Sequence, residues 1–80
     1  MTTFPAVRAD RVIKFLNEWG FSEVRQKGSH KFFRHADGRT CVVPYHKGED
    51  LGRGILRKIL NDVEVSKEEF LKWHTKSPLS

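Results

Sequence analysis

Two glycine-containing turns divide the stretch RQKGSHKFFRHADGRT, which runs from Arg25 to Thr40, into segments that favour β-strands. Gly28-Ser29 is short enough for a tight connection. Asp37-Gly38 is a hairpin signal, because glycine readily adopts the positive φ angle that such turns need. The predicted strands are Glu23 to Lys27, His30 to about His35, and Arg39 to Val43, where Pro44 ends the ladder. The pairs Phe32-Phe33 and Val42-Val43 leave open which side chains face the core.

Helical patterns flank these strands. Apolar residues at helical spacing run from Ala9 to Trp19, and Gly20 follows where a left-handed cap would end the helix. A second apolar helical face runs from Ile55 to Val63. Ser66 to Glu69 is a capping box that starts a third, short helix.

The remaining segments are expected to be irregular. We expect an extended arm from Thr2 to Arg8 and a frayed tail from His74 to Ser80. Tyr45 to Arg53 is expected to be a loop in which Asp50 caps the second helix.

The order helix, three antiparallel strands, helix, short helix predicts an α+β fold. The first two helices can cover one face of the sheet with their apolar sides. The other face is then free to bind a partner. At 80 residues the chain is expected to form a single domain, residues 1–80, with its core at about 9–73.

The charge of the chain is concentrated around the strands. The chain has a net charge of +5 and a pI near 9.7. Between Val24 and Gly48, six basic residues stand against the one acid Asp37, which accounts for the whole net charge. An anionic partner is therefore expected there.

Composition also limits where the protein is expected to act and which cofactors it could use. The single Cys41 has no disulfide or zinc partner and is expected to be a core residue. No apolar run is long enough to span a membrane, and the first five residues lack the features of a signal peptide. We expect a cytoplasmic protein that uses no metal or other cofactor.

His30 is the candidate catalytic residue. Strand histidines are more often structural, but this one follows Gly28, which allows a ligand to approach closely, and Ser29, which offers phosphate contacts. The residues expected to bind RNA are Lys27, Gly28, Ser29, Lys31, Arg34, His46 and Lys47. As catalytic groups, His35 and His46 are weaker candidates than His30.

RNA supplies its own nucleophile, the 2′-hydroxyl beside each phosphodiester. A histidine that titrates near neutral pH can act as general acid or base in its attack, and fixed cations can stabilise the phosphoryl charge. The expected reaction is therefore a slow cleavage of RNA without a metal.

Several short motifs give the chain its resemblance to a known family. They are WGF at 19–21, VRQKGSH at 24–30, FRH at 33–35, DGR at 37–39, VPYH at 43–46 and GILRKIL at 54–60. The chain resembles the HicA (YcfA-like) toxin family from about Val12 to Phe70.

The resemblance implies a double-stranded-RNA-binding-domain-like fold and a metal-independent mRNA interferase whose catalytic histidine corresponds to His30. It also implies a cognate HicB-type antitoxin that covers the active site. Charge complementarity then predicts antitoxin carboxylates against Lys27, Lys31, Arg34 and Lys47. This chain alone is not expected to bind DNA or a membrane.

Two other functions suit the same sequence. A non-catalytic RNA-binding module would need the same basic patch and would bind RNA in a salt-dependent way without cleaving it. A pure protein-interaction domain would need an exposed apolar patch.

Overall fold

The computed structural model describes residues 5–76. In chain order the elements are β1 (Val7–Arg8), α1 (Ala9–Glu18), β2 (Phe21–Lys27), β3 (His30–His35), β4 (Thr40–Pro44), β5 (Asp50–Leu51), α2 (Arg53–Val63) and α3 (Lys67–Lys76). The predicted α+β fold, with three antiparallel strands between two helices and a further C-terminal helix, is confirmed.

Strands β2, β3 and β4 form an antiparallel sheet with β3 in the centre. Phe33 pairs with Cys41, and Lys31 pairs with Val43. Phe33, Cys41 and Val43 are at most 3% exposed. Because side chains alternate along a strand, Lys31 lies on the same face as Phe33. We call this covered side the inner face, and helices α1 and α2 pack against it.

The opposite side of the sheet, here called the outer face, carries the other residues of β3. These are His30, Phe32 and Arg34, which pair with Pro44, Val42 and Thr40 of β4. On the other side they pair with Lys27, Arg25 and Ser22 of β2. Alternation therefore separates the adjacent Phe32 and Phe33, with Phe33 in the core and Phe32 on the outer face.

The predicted helix α1 ends where expected. The Trp19 N–H donates to the Phe15 carbonyl at 3.0 Å, and Gly20 follows with φ +93°. A Cβ on Gly20 would lie 2.8 Å from His35 Nε2, so both the backbone angle and the close approach of His35 require glycine.

The segment between β4 and α2 differs from the prediction. Asp50 lies in β5 and pairs with Arg8 of β1, while Leu51 pairs with Val7. The N-cap of α2 is Gly52, so the expected cap at Asp50 is wrong, and Tyr45 to Arg53 is not wholly a loop. This two-residue ladder buries Val7 and Leu51 at the edge of the core, and a strand so short has no periodicity to detect.

Two strand boundaries also differ. Strand β2 begins at Phe21 instead of Glu23. Strand β4 begins at Thr40 instead of Arg39. The His35 N–H donates to the Arg39 carbonyl at 2.8 Å, which closes the loop between β3 and β4. The Gly38 N–H also donates to the His35 carbonyl at 2.9 Å, and Gly38 has φ +99°, as in a three-residue hairpin loop.

The C-terminal helix α3 starts at the predicted capping box. The Glu69 N–H donates to Ser66 Oγ at 3.1 Å. The helix continues through His74 to Lys76, so the expected tail was wrong over these residues, and the rest of the tail lies outside residues 5–76. Aromatic packing explains the longer helix, since Phe15 of α1 meets the rings of Phe70 and Trp73 at 5.0 and 5.2 Å.

Candidate functional site

A tight turn between β2 and β3 presents His30. Lys27 pairs with His30 across a two-residue loop, in which Gly28 has φ +59° and Ser29 does not have a positive φ. Glycine at the first loop position with this angle is typical of a type II′ hairpin. The Gln26 side-chain amide donates to the Gly28 carbonyl at 3.0 Å, which further restrains the turn.

His30 is exposed at the first position of the central strand. Its neighbours in the ladder are Lys27 on one side and Pro44 on the other. A bound phosphodiester could therefore approach the imidazole from the outer face, with the Lys27 ammonium beside it. The turn leaves open space where a Gly28 side chain would stand.

Arg34 shares the outer face with His30 and is exposed. It lies four residues further along β3, about 13 Å away at the rise of a β-strand. Arg34 therefore belongs to the same surface as His30.

Lys31 lies on the inner side of the sheet, away from His30. Its Nζ is 3.5 Å from a carboxylate oxygen of Glu23 and 4.5 Å from the centre of the Tyr45 ring. Its side chain is only 21% exposed. The sheet thus separates Lys31 from Lys27 and Arg34, and Lys31 has structural contacts instead.

The loop after β4 is tied to the hairpin turn. The Tyr45 N–H donates to the Ser29 carbonyl at 2.6 Å, so the residues that follow Tyr45 begin next to the turn. His46 is 60% exposed, with Nδ1 4.0 Å from a Glu49 carboxylate oxygen, and Lys47 is exposed. The structure therefore brings this loop and the Gly28-Ser29 turn to one end of the sheet.

Tyr45 also anchors this end of the sheet through its side chain. A hydrogen bond from its hydroxyl to Asp10 of α1 raises the pKa of Tyr45, and desolvation adds to the effect. The same hydrogen bond links the loop after β4 to α1.

His35 has a structural environment. The Asp37 N–H donates to His35 Nδ1 at 3.0 Å, and the ring packs edge-on against Phe21 at 5.0 Å. Asp37 accepts from the Arg39 N–H and side chain, and the backbone hydrogen bond is the main reason that its pKa is lowered. Arg39 in turn donates to the Val63 carbonyl at the end of α2. This cluster fixes the second hairpin to the helix.

The cysteine and the possible metal ligands do not form a second reactive site within the described residues. Cys41 is buried, and desolvation raises the pKa of its thiol to about 12, which leaves it unreactive at neutral pH and confirms its place in the core. Among residues 5–76, no three His, Cys, Asp or Glu side chains are grouped so that they could hold a metal ion.

Sequence reasoning did not identify Arg25 and Phe32 as functional candidates. The Arg25 guanidinium lies 4.5 Å from the centre of the Phe32 ring on the outer face. A shift in register between Glu23 and Arg25 produces this pairing, because it places Arg25 directly opposite Phe32. The available signal was the Phe32-Phe33 pair, since one of two adjacent strand residues must face outward.

The α+β order and the single covered sheet face define a domain of the double-stranded-RNA-binding-domain-like class. The family model described as the HicA toxin of bacterial toxin-antitoxin systems matches residues 9–65. The chain belongs to this family, so the resemblance seen in the sequence is confirmed. A search among curated proteins found no match.

Membership gives the chain a role as the toxin of a toxin-antitoxin pair, and an antitoxin as partner. Within residues 5–76, no helix has the length and apolar character needed to cross a membrane.

Proposed function

We propose that this toxin is an endoribonuclease that cleaves mRNA, with His30 as its general acid and base. The observation that best supports the proposal is the position of His30: exposed at the start of the central strand, beside Lys27, at a turn with no side chain at Gly28. An imidazole has one nitrogen that can accept a proton and another that can donate one, which suits it to both proton transfers.

The proposed reaction uses the ribose next to the cleaved bond. His30 takes the proton of the 2′-hydroxyl, whose oxygen then bonds to the adjacent phosphorus. The bond from phosphorus to the 5′-oxygen of the next nucleotide breaks, and that oxygen receives a proton from the imidazolium. The products are a 2′,3′-cyclic phosphate and a free 5′-hydroxyl. Because the nucleophile belongs to the substrate, no metal-bound water is needed.

Stabilisation of the phosphoryl charge falls to the cations near the turn. Lys27 is directly opposite His30 in the ladder. Lys47 lies in the loop after β4, which is joined to the turn by the hydrogen bond from the Tyr45 N–H to the Ser29 carbonyl. Preorganised positive charge of this kind stabilises the transition state more than the ground state. The predicted contact of Lys31 with RNA is the least supported of the set, because Lys31 is engaged by Glu23 and Tyr45.

The same surface supports the proposal that a HicB-type antitoxin inhibits the toxin by covering His30. Carboxylates of the antitoxin would pair with Lys27, Arg34 and Lys47, all exposed cations. An antitoxin that contacted only α2 would contradict this.

Expression of the wild type and of His30→Ala in bacteria, with growth and mRNA decay as readouts, tests the catalytic assignment. Loss of a positioned acid-base group should reduce cleavage roughly 10²- to 10⁴-fold. His46→Ala is a matched histidine control and should reduce cleavage far less. Equal mRNA decay with the wild type and His30→Ala would remove His30 from the mechanism. RNA binding without cleavage by the wild type would favour the non-catalytic module.

A further inference from the structure

We infer that the outer face of the sheet binds single-stranded RNA, with one base stacked on the Arg25 and Phe32 pair. This inference rests on the proposed function and names the form of its substrate. It concerns binding, so it can be tested apart from cleavage.

The centre of the outer face is apolar. Phe32 sits in the central strand between Arg25 of β2 and Val42 of β4. Val42 is 37% exposed, although its neighbours Cys41 and Val43 are buried. Helices α1 and α2 pack on the inner face, and α3 packs against these two helices, so within residues 5–76 no helix covers the outer face. A half-buried aromatic ring and an exposed valine in the middle of a basic surface suit a ligand that has both an apolar and an anionic part.

A single-stranded nucleotide has both properties. Its base offers a π-face that stacks on an aromatic ring or on the plane of an arginine, and its phosphate is attracted to lysine and arginine. The Arg25 guanidinium already lies 4.5 Å from the Phe32 ring centre, so a base can extend this stack. The exposed cations Lys27 and Arg34 lie on the same face on either side of it.

The spacing along β3 connects this stack to His30. Phe32 is two residues from His30 on the same face, which corresponds to about 7 Å along the strand. One nucleotide of an extended strand spans a comparable distance. A base held at Phe32 would therefore place a neighbouring phosphodiester at the imidazole.

A duplex would make poor use of this surface. The bases of a duplex are already stacked on one another, and proteins recognise A-form RNA mainly through its backbone, its 2′-hydroxyls and its shape. The Phe32 ring and Val42 would then face phosphates and gain nothing. The apolar centre of the outer face thus favours the single strand.

The test measures binding of a fluorescent 2′-O-methyl oligoribonucleotide, which cannot be cleaved because its 2′-oxygens are blocked. Anisotropy titrations at one fixed salt concentration compare the single strand with the same strand annealed to its complement. We expect the wild type to bind the single strand at least about tenfold more tightly. The stacking of one base on an aromatic side chain increases affinity roughly 5- to 150-fold.

Matched variants identify the stack. Phe32→Leu should weaken single-strand binding within that range, while Phe32→Tyr, which keeps the ring, should bind as the wild type does. Arg25→Ala should weaken binding more than Lys58→Ala, which removes the same charge from α2 at a side chain that is 76% exposed. Thermal unfolding of each variant confirms that it is folded at the assay temperature.

Several outcomes would overturn the inference. They are duplex binding as tight as single-strand binding, equal affinities of Phe32→Leu and Phe32→Tyr, and binding of the antitoxin but of no oligonucleotide at this face. Duplex preference together with intact mRNA cleavage would refute this inference alone. Single-strand binding without cleavage of a natural transcript would refute the proposed function alone.

Discussion

Gly28 offers a direct test of how the turn holds His30, through the substitution Gly28→Ala. Gly28 has φ +59°, and a Cβ added there would have no atom within 4 Å. The cost of the substitution therefore comes from the backbone and not from a clash. A residue with a Cβ held at such a sparsely populated positive φ costs roughly 1–3 kcal/mol. We expect Gly28→Ala to lower the free energy of unfolding by about that amount.

Gly54→Ala is the matched control. A Cβ added at Gly54 would also meet open space, but this residue lies in the first turn of α2 without a positive φ. Alanine is the better helix former, so this variant should be more stable than the wild type by about 0.5 kcal/mol. The same chemical change should thus have opposite signs at the two positions.

Urea unfolding followed by circular dichroism measures both variants. In thermal unfolding, each 1 kcal/mol should shift Tm by roughly 4–8 °C in a domain of this size. If Gly28→Ala were as stable as the wild type, the turn next to His30 would not require glycine at this position. That result would refute the prediction.

Three further predictions concern the C-terminal half. Glu64 ends α2 with φ 58°, so Glu64→Gly should raise the free energy of unfolding by about 0.5–1 kcal/mol in urea titrations, while Glu64→Ala should not. Ser66→Ala removes the acceptor of the Glu69 N–H and should lower stability by about 1 kcal/mol, which Tm would report. Burial, followed by the charge of Arg11, lowers the pKa of His74 from its ordinary value of 6.5. Stability should therefore fall as pH drops below about 6.5 towards the lowered pKa. His74→Gln should reduce the fall in Tm between pH 7.5 and pH 5.5. A fall as large as that of the wild type would contradict this.

The parts of the fold that were predictable are those with local chemical signals. Gly20 and Gly38 have the positive φ angles that their positions suggested, and Ser66 caps α3. In each case the signal is a requirement on one residue and its immediate neighbours, and long-range packing does not alter it.

The parts that were missed depend on contacts between distant residues. Asp50 looked like a helix cap because its side chain suits that role, but pairing with Arg8 places it in β5. The end of α3 was missed because Phe15 and Arg11 of α1 hold Trp73, with the Arg11 guanidinium 4.4 Å from its ring centre. Such contacts have no local sequence pattern.

In the predicted site, too, some positions follow from the local sequence and others depend on contacts between strands. His30, Lys27 and Arg34 share the outer face, as a common basic hairpin suggested. Lys31 lies on the inner side because strand side chains alternate, and the adjacent phenylalanines had left the register open. The stack of Arg25 on Phe32 required knowledge of the bulge in β2, which the sequence does not mark.

In the proposed mechanism, His30 cleaves RNA with the substrate's own 2′-hydroxyl as nucleophile. Incubation of the purified protein with a defined transcript in EDTA, followed by chemical mapping of the new ends, tests it most directly. We predict 2′,3′-cyclic phosphate and 5′-hydroxyl ends with the wild type and a loss of these products with His30→Ala. New ends that carry a 5′-phosphate and a 3′-hydroxyl, or cleavage that persists in His30→Ala, would contradict the claim.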